Sequence, residues 1–371
     1  MIIWGTITAC TVVIHNYASL MVIRLLVGAS EAFVSGAVFY LSFWYPYDEL
    51  ATRGAIYFSM AALAGAFNGL IAYAVTQNLA HANEWAPWRW IFLIEGVLPV
   101  GWAFVIMALL PSTPETVRFF FTEDEKALLI KRSRRAQNTG KSKIRPKLIL
   151  RVLTDPKFWM LVSIESALQF CLNTFSNFLP AILRGFGWSS IKSQLMTVII
   201  YACAWVSILF WSRISDKIQR RGLVVLVNMS VAAIGYILLL TITGPAGRFA
   251  STCVLAIGIY PQIVITSVWL ATMNVGYTYR ASAVALANSI SQAVAIAGNQ
   301  AYVDPPLYRR GHAASLALVV FAAVMTGLLL FTLRHENRKK TREQWTEKAR
   351  EMRKLTIDDI GNRHPDHFYC Y

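Results

Sequence analysis

Apolar residues fill this chain in long runs broken by short polar stretches, a pattern that fits neither alternating strands nor the single apolar stripe of a surface helix. A helix needs about 20 mostly apolar residues to cross roughly 30 Å of hydrocarbon. On that basis the pattern predicts ten spans, at about 1–15, 20–45, 54–78, 90–110, 157–181, 192–213, 223–244, 249–273, 281–303 and 312–333. At about 1.5 Å per residue the first covers only about 22 Å, so it reads as a helix cut short. The polar stretches between them divide the chain into an incomplete half of four spans (1–110), a connecting loop (111–156), a half of six spans (157–333) and a tail (334–371).

Composition places the runs in a bilayer. Of 371 residues, 56% are hydrophobic and 15% charged, with a mean hydropathy of +0.47, too apolar for a water-soluble domain of this size. The formal charge of +15 decides nothing until its placement is known. The basic residues gather in the connections 46–53, 111–156, 214–222 and 274–280 and in the tail, including "KRSRRAQNTGKSKIRPK" and "RHENRKKTR". These segments alternate correctly to share one side of the membrane, which predicts a multi-pass protein with both termini cytoplasmic. Basic runs so placed set topology beside anionic headgroups, and no nucleic-acid partner is expected.

Soluble-enzyme chemistry has little footing. The five cysteines form no CxxC pair, and the four inside apolar runs read as buried thiols. The six histidines lack HExxH spacing and no phosphate-binding glycine loop occurs, so no enzyme activity, metal or cofactor is expected. The first residues, "MIIWGTITAC", lack the basic start and cleavage site of a signal peptide. In "TEDEKALLIKRSRR" Thr122 and Glu125 have capping-box spacing, with acids first and bases last, which predicts a short surface helix. The tail "ENRKKTREQWTEKAREMRK" predicts another solvated helix.

The informative residues are polar ones inside the spans, where each charge costs roughly 2.5–3.5 kcal/mol on insertion scales and survives by facing a cavity or a partner. In "RLLVGASEAFVSG", Arg24 and Glu31 are seven residues apart, on one helix face but about 10 Å apart along the axis. That is too far for a one-turn ion pair. The arginine fork suits a carboxylate, and a glutamate in a low-dielectric cavity can take up a proton near neutral pH; an Arg/Glu network locking helices together is the plain alternative. The fifth span carries Glu165, Gln169, Asn173 and Asn177 at i, i+4 steps, a stripe that either lines a polar path or bonds to a neighbouring helix. Asn68 sits among small residues in "AGAFNGL", where close packing competes with ligand binding. Pro261 predicts a kink that makes Tyr260, Gln262 and Trp269 candidate cavity residues. Asn288, Gln292 and Asn299 give another span a polar face. In "SRISDKIQRRG", Asp216 with Arg220 or Arg221 reads as a tight turn or conformational latch rather than a substrate site.

Two helical halves around a basic connection suggest the repeat architecture of secondary transporters, and several motifs together carry a resemblance. "RLLVGASEA", "YLSFWYPYDELATR", "AGAFNGL", "WRWIFLIEG", "LPSTPETVRFFFTEDEKAL", "SDKIQRRG", "WLATMNVGYTYRA" and "YRRGHAASLAL", with the tail "DDIGNRHPDHFYCY", resemble the major facilitator superfamily. Within it they are similar to the fungal anion:cation symporters that include allantoate, nicotinate, pantothenate and biotin permeases. The likeness covers nearly the whole chain.

The resemblance implies an all-α integral-membrane bundle of twelve helices working by alternating access, of which this chain carries ten and opens on the third. It implies a plasma-membrane monomer moving a small organic anion with a proton. Arg24 would then clamp the substrate carboxylate and Glu31 would carry the proton, with Glu165 as a second proton site. Asn68, Gln169, Asn173, Tyr260, Gln262, Trp269, Asn288 and Gln292 would line the substrate path, and Asp216, Arg220 and Arg221 would gate it. A nutrient receptor or scaffold without a transport cycle, or an inactive transporter fragment, is the alternative.

Overall fold

The computed structural model describes the chain apart from residues 32–39, 42–43, 46, 80–84, 112–120, 138–145, 354–359 and 370–371, and gives backbone alone for residues 31, 47–52, 55, 132–137, 146–147, 277, 348 and 363. The described residues form thirteen α-helices: α1 (Ile2–Ala9), α2 (Tyr17–Glu31), α3 (Tyr47–Asn78), α4 (Pro87–Leu109), α5 (Glu123–Gln137), α6 (Pro146–Thr154), α7 (Pro156–Arg184), α8 (Ser190–Ile218), α9 (Arg221–Thr241), α10 (Pro245–Met273), α11 (Tyr277–Ala301), α12 (Arg309–Glu343) and α13 (Glu347–Met352). Seven of these, α3, α4 and α8 through α12, hold segments long and apolar enough to span a bilayer.

The difference from ten predicted spans has local causes. α7 has 29 residues, about 43 Å at helical rise, but its polar stripe lowers its hydropathy. α1 with the 3₁₀ turn that follows it, and α2, are apolar but short, and most of the predicted second half of the 20–45 span lies outside the described residues. The surface helix α5 starts on a capping box: the Thr122 amide donates to Glu125 Oε2 (2.9 Å) and the Glu125 amide to Thr122 Oγ1 (3.4 Å). That bonding holds the Glu125 carboxyl below its ordinary range. The predicted solvated tail helix is split, its first part continuing α12 and the rest forming α13. Of the four cysteines expected to be buried, Cys171 is buried, Cys203 and Cys253 are half-buried, and Cys10, in the 3₁₀ turn after α1, is exposed.

The chain divides into two compact units, residues 1–50 with 67–138 and residues 51–66 with 139–371. In the first, α1 packs on α2 and α4. In the second, α7 is central, packing on α8, α10, α11 and α12, while α9 packs on α10 and α12. Its core holds Phe175, Ile200, Tyr236 and Trp269. Close approach of α9 and α10 depends on Gly235 and Gly258: a Cβ at Gly235 would meet the Leu255 Cα at 2.7 Å, and one at Gly258 would meet the Asn228 carbonyl oxygen at 2.9 Å. Without a hydrophobic drive between helices in lipid, such small-residue crossings supply the packing. α10 runs through Pro261 as one continuous helix. The proline removes the amide that would have bonded the Ile257 carbonyl, and Ser207 Oγ of α8 donates to that carbonyl instead, at 2.6 Å.

The end of the chain returns to the second unit. Asn362 Oδ1 accepts from the Val275 amide and Asn362 Nδ2 donates to Asn274 Oδ1, both at 2.9 Å, tying the tail to the α10–α11 turn. Asn337 of α12 grips the Tyr369 backbone on both sides, accepting from its amide (2.9 Å) and donating to its carbonyl (2.8 Å). The Tyr369 ring carries two ammonium groups, Lys157 and Lys340, each 4.7 Å from its centroid. Two motifs far apart in sequence, "WLATMNVGYTYRA" and "DDIGNRHPDHFYCY", therefore meet.

Candidate functional site

In the first unit, Arg24 stands on α2 with its guanidinium 5.6 Å from the Phe92 ring of α4, and its side chain is exposed. Among the described side chains no carboxylate lies within ion-pair distance of it. Glu31 closes α2, but its side chain lies outside the described residues. Glu95, one turn after Phe92 on α4, is a partly buried carboxyl that the apolar run "WRWIFLIEG" had hidden. Asn68 on α3 is exposed.

In the second unit the α7 stripe splits into two roles. Asn173 Nδ2 donates to Gln292 Oε1 (3.1 Å) and Asn177 Nδ2 to Asn299 Oδ1 (3.2 Å), while the Ser166 and Ser291 hydroxyls hydrogen-bond to each other at 3.2 Å. These three pairs form a polar seam between α7 and α11, the helix-bonding alternative for such a stripe. Asn288 is half-buried on α11 and Gln169 half-buried on α7.

Glu165 behaves differently. It is buried on the α10 side of α7; Oε1 accepts from Ser267 Oγ at 3.2 Å, and Oε2 has no hydrogen-bond partner among the described residues. On α10, Gln262, Thr266 and Trp269 follow i, i+4, i+7 spacing on one inward face, all fully buried. Neither amide atom of Gln262 and not the Thr266 hydroxyl has a partner there. A buried polar atom left without a partner costs about 1–3 kcal/mol, so Glu165 on α7 and Gln262 on α10 each carry unmet hydrogen bonding inside the unit. Trp269 is packed in the core. Thr266 and Ser267 escaped the sequence reading because single hydroxyls in an apolar run are ordinary; the i, i+4 step from Gln262 was the available signal.

The turn between α8 and α9 resolves one ambiguity. Arg221 is buried, its Nη1 donating to the Val268 carbonyl (3.0 Å) and Thr272 Oγ1 (3.1 Å), with Nη2 3.9 Å from Asp216 Oδ1. Arg220 is exposed and takes no part in that pair.

The family model described as Major Facilitator Superfamily matches residues 1–299. This chain belongs to that superfamily. It is a membrane transporter, not an enzyme, and its helical bundle has the superfamily fold. It is 30% identical over 352 residues to a Schizosaccharomyces pombe protein described as an uncharacterized transporter, covering 94% of this chain and 70% of that one. It is also 30% identical over 345 residues to the high-affinity nicotinic acid transporter of Saccharomyces cerevisiae, covering 91% of this chain and 63% of the yeast protein. Among solved structures it is similar to the proton:xylose symporter XylE, with a TM-score of 0.63 at 15% identity over 87% of this chain and 76% of that one, a likeness of fold.

Proposed function

We propose that this superfamily member is a fungal anion:cation symporter that moves a small organic acid together with a proton by alternating access. The observation that carries the reading is Glu165, a carboxyl buried in the membrane-spanning bundle with one oxygen bonded to Ser267 and the other without a partner among the described residues. A carboxyl so placed has room for a proton and little reason to be there for packing alone. Support comes from similarity to the nicotinic acid transporter of yeast, named for a carboxylic acid, and from Arg24, a guanidinium in an apolar helix whose fork matches a carboxylate.

Coupling has an electrical reason. Bringing a monoanion into a cell with a negative interior costs about 2.3 kcal/mol per 100 mV, and one proton moving with it cancels the charge. Glu31 and Glu165 are the proton carriers in this reading, and Arg24 orients the anion. Gln262, Tyr260 and Asn288 contribute hydrogen bonds to the cargo, and the Asp216–Arg221 contact holds the α8–α9 turn as the conformation changes. The test is uptake of labelled nicotinate by cells expressing the full chain, at external pH 5 and 7. Glu165→Gln is expected to remove the acid stimulation while counterflow exchange persists; acid stimulation equal to that of the unsubstituted chain would overturn the assignment.

A further inference from the structure

We propose that a polyphosphorylated headgroup binds in a basic cavity where α12 leaves the membrane, with the C-terminal tail as one wall. The cavity, about 670 Å3, is lined by the guanidinium-bearing side chains Arg220, Arg334 and Arg338, and closed on another side by Phe368 and Tyr369. That size falls within the roughly 300–1,000 Å3 that holds small ligands, and among the described residues no acidic side chain lines it.

The chemistry of the lining selects the ligand. Asn337 and Thr341 also border the cavity, but Asn337 is engaged at both amide atoms with the Tyr369 backbone, and Thr341 Oγ1 donates its proton to the Asn337 carbonyl at 3.0 Å. The forks offered to an incoming molecule are the guanidinium groups of Arg220 and Arg338, which suit phosphate oxygens bidentately and have little to offer a neutral sugar. Among the described residues, two neighbouring carboxylates are drawn to other cations: Glu336 to Lys157 at 2.7 Å and Asp366 to Arg353 at 2.9 Å.

Position gives the second argument. Arg334 is the first charged residue after the apolar run of α12 ends at Leu333, and Arg338 follows one turn later on the same side. Arg220 comes from the turn between α8 and α9, so helices remote in sequence converge at the level where hydrocarbon gives way to headgroups. The tail makes this a cavity rather than an open basic surface, because Phe368 and Tyr369 are held there by the Asn337 clamp.

The same phosphate chemistry has two sources, a phosphorylated inositol lipid in the membrane or a free inositol phosphate in solution. The test uses the purified full chain in neutral-lipid nanodiscs, titrated with dioctanoyl phosphatidylinositol 4,5-bisphosphate in one arm and inositol 1,4,5-trisphosphate in the other. Saturable binding is expected, weakened at least tenfold in Arg220→Gln/Arg338→Gln and unchanged in Arg309→Gln/Arg310→Gln at the start of α12. Binding of the lipid alone identifies a membrane ligand, and equal binding of both identifies the headgroup as sufficient. Asn337→Ala, which releases the wall without changing charge, is expected to weaken binding at least fivefold. Unliganded melting temperatures establish that each variant is folded, with the single exposed-site variant Arg338→Gln, expected to lose at least threefold, replacing the double one if needed. Absence of saturable binding, undiminished binding in the cavity-arginine variant, or an Asn337→Ala variant that binds as the original does would overturn the proposal.

Discussion

Docking of the tail is expected to fail in acid, because of His367. Its Nε2 donates to the Met273 carbonyl at 3.2 Å, which fixes the neutral tautomer with the proton on that nitrogen. Burial comes first and the Lys340 ammonium second in holding the imidazole at about 4, below its ordinary 6.5, with Lys157 and His364 adding in the same direction and the Met273 bond opposing. Among the described residues, nearby carboxylates are engaged elsewhere, Glu336 by Lys157 and Asp366 by Arg353. A histidine whose docked value lies below its free value stabilises the docked state fully above pH 6.5 and loses that stability as pH falls toward 4. Between pH 7 and pH 5 the undocked tail gains a proton that the docked tail refuses, a factor of about 20 in the docking equilibrium, or about 2 kcal/mol. Hydrogen exchange of the backbone amides of residues 362–369, corrected for intrinsic rates, reads this directly. Protection should drop about 20-fold between those pH values and stay level in His367→Gln, which keeps a donor for Met273 but does not titrate. Constant protection in the original chain, or an equal drop in the variant, would refute the reasoning.

Other outcomes follow from the same packing and site. Gly258→Leu forces α10 away from α9 and is expected to cost about 1–3 kcal/mol of stability, read as a lower melting temperature in detergent. Ser207→Ala strands the Ile257 carbonyl beside Pro261 and should cost about 1–3 kcal/mol by the same assay, whereas Ser207→Thr should recover part of it. Arg24→Lys replaces a fork with a point charge and is expected to weaken organic-acid affinity about tenfold, measured by equilibrium binding; equal affinity would remove Arg24 from the site.

The helical membrane fold was legible in the sequence because long apolar runs permit little else in a bilayer. α5 was legible to its cap, since Thr122 and Glu125 satisfy each other locally. What stayed hidden was tertiary. The α7 stripe could line a path or bond to a neighbour, and only the placement of Gln292, Asn299 and Ser291 on α11 assigns Asn173, Asn177 and Ser166 to the seam and sets Glu165 apart. Pro261 predicted a kink; what the sequence did not announce is that a hydroxyl on another helix satisfies the carbonyl it orphans within one continuous helix. Trp269 drew notice as a cavity aromatic, yet a residue on the inward face of a central helix is equally a core residue, and it is packed in the core. The tail read as a solvated helix because its charges are many; Asn337, Lys340 and Asn362 bond to backbone carbonyls and amides far along the chain, which no local pattern announces.

The measurement that bears most directly on proton-coupled transport is uptake into proteoliposomes holding the purified chain, with the interior at pH 7.5, the exterior at pH 5.5 and the membrane potential clamped at zero. A labelled organic acid found to bind the chain, with nicotinate the first tried, should accumulate above its external concentration, lose that accumulation when a protonophore is added, and fail to accumulate with Glu165→Gln. Saturable binding without accumulation, or accumulation indifferent to the pH gradient, would contradict the account.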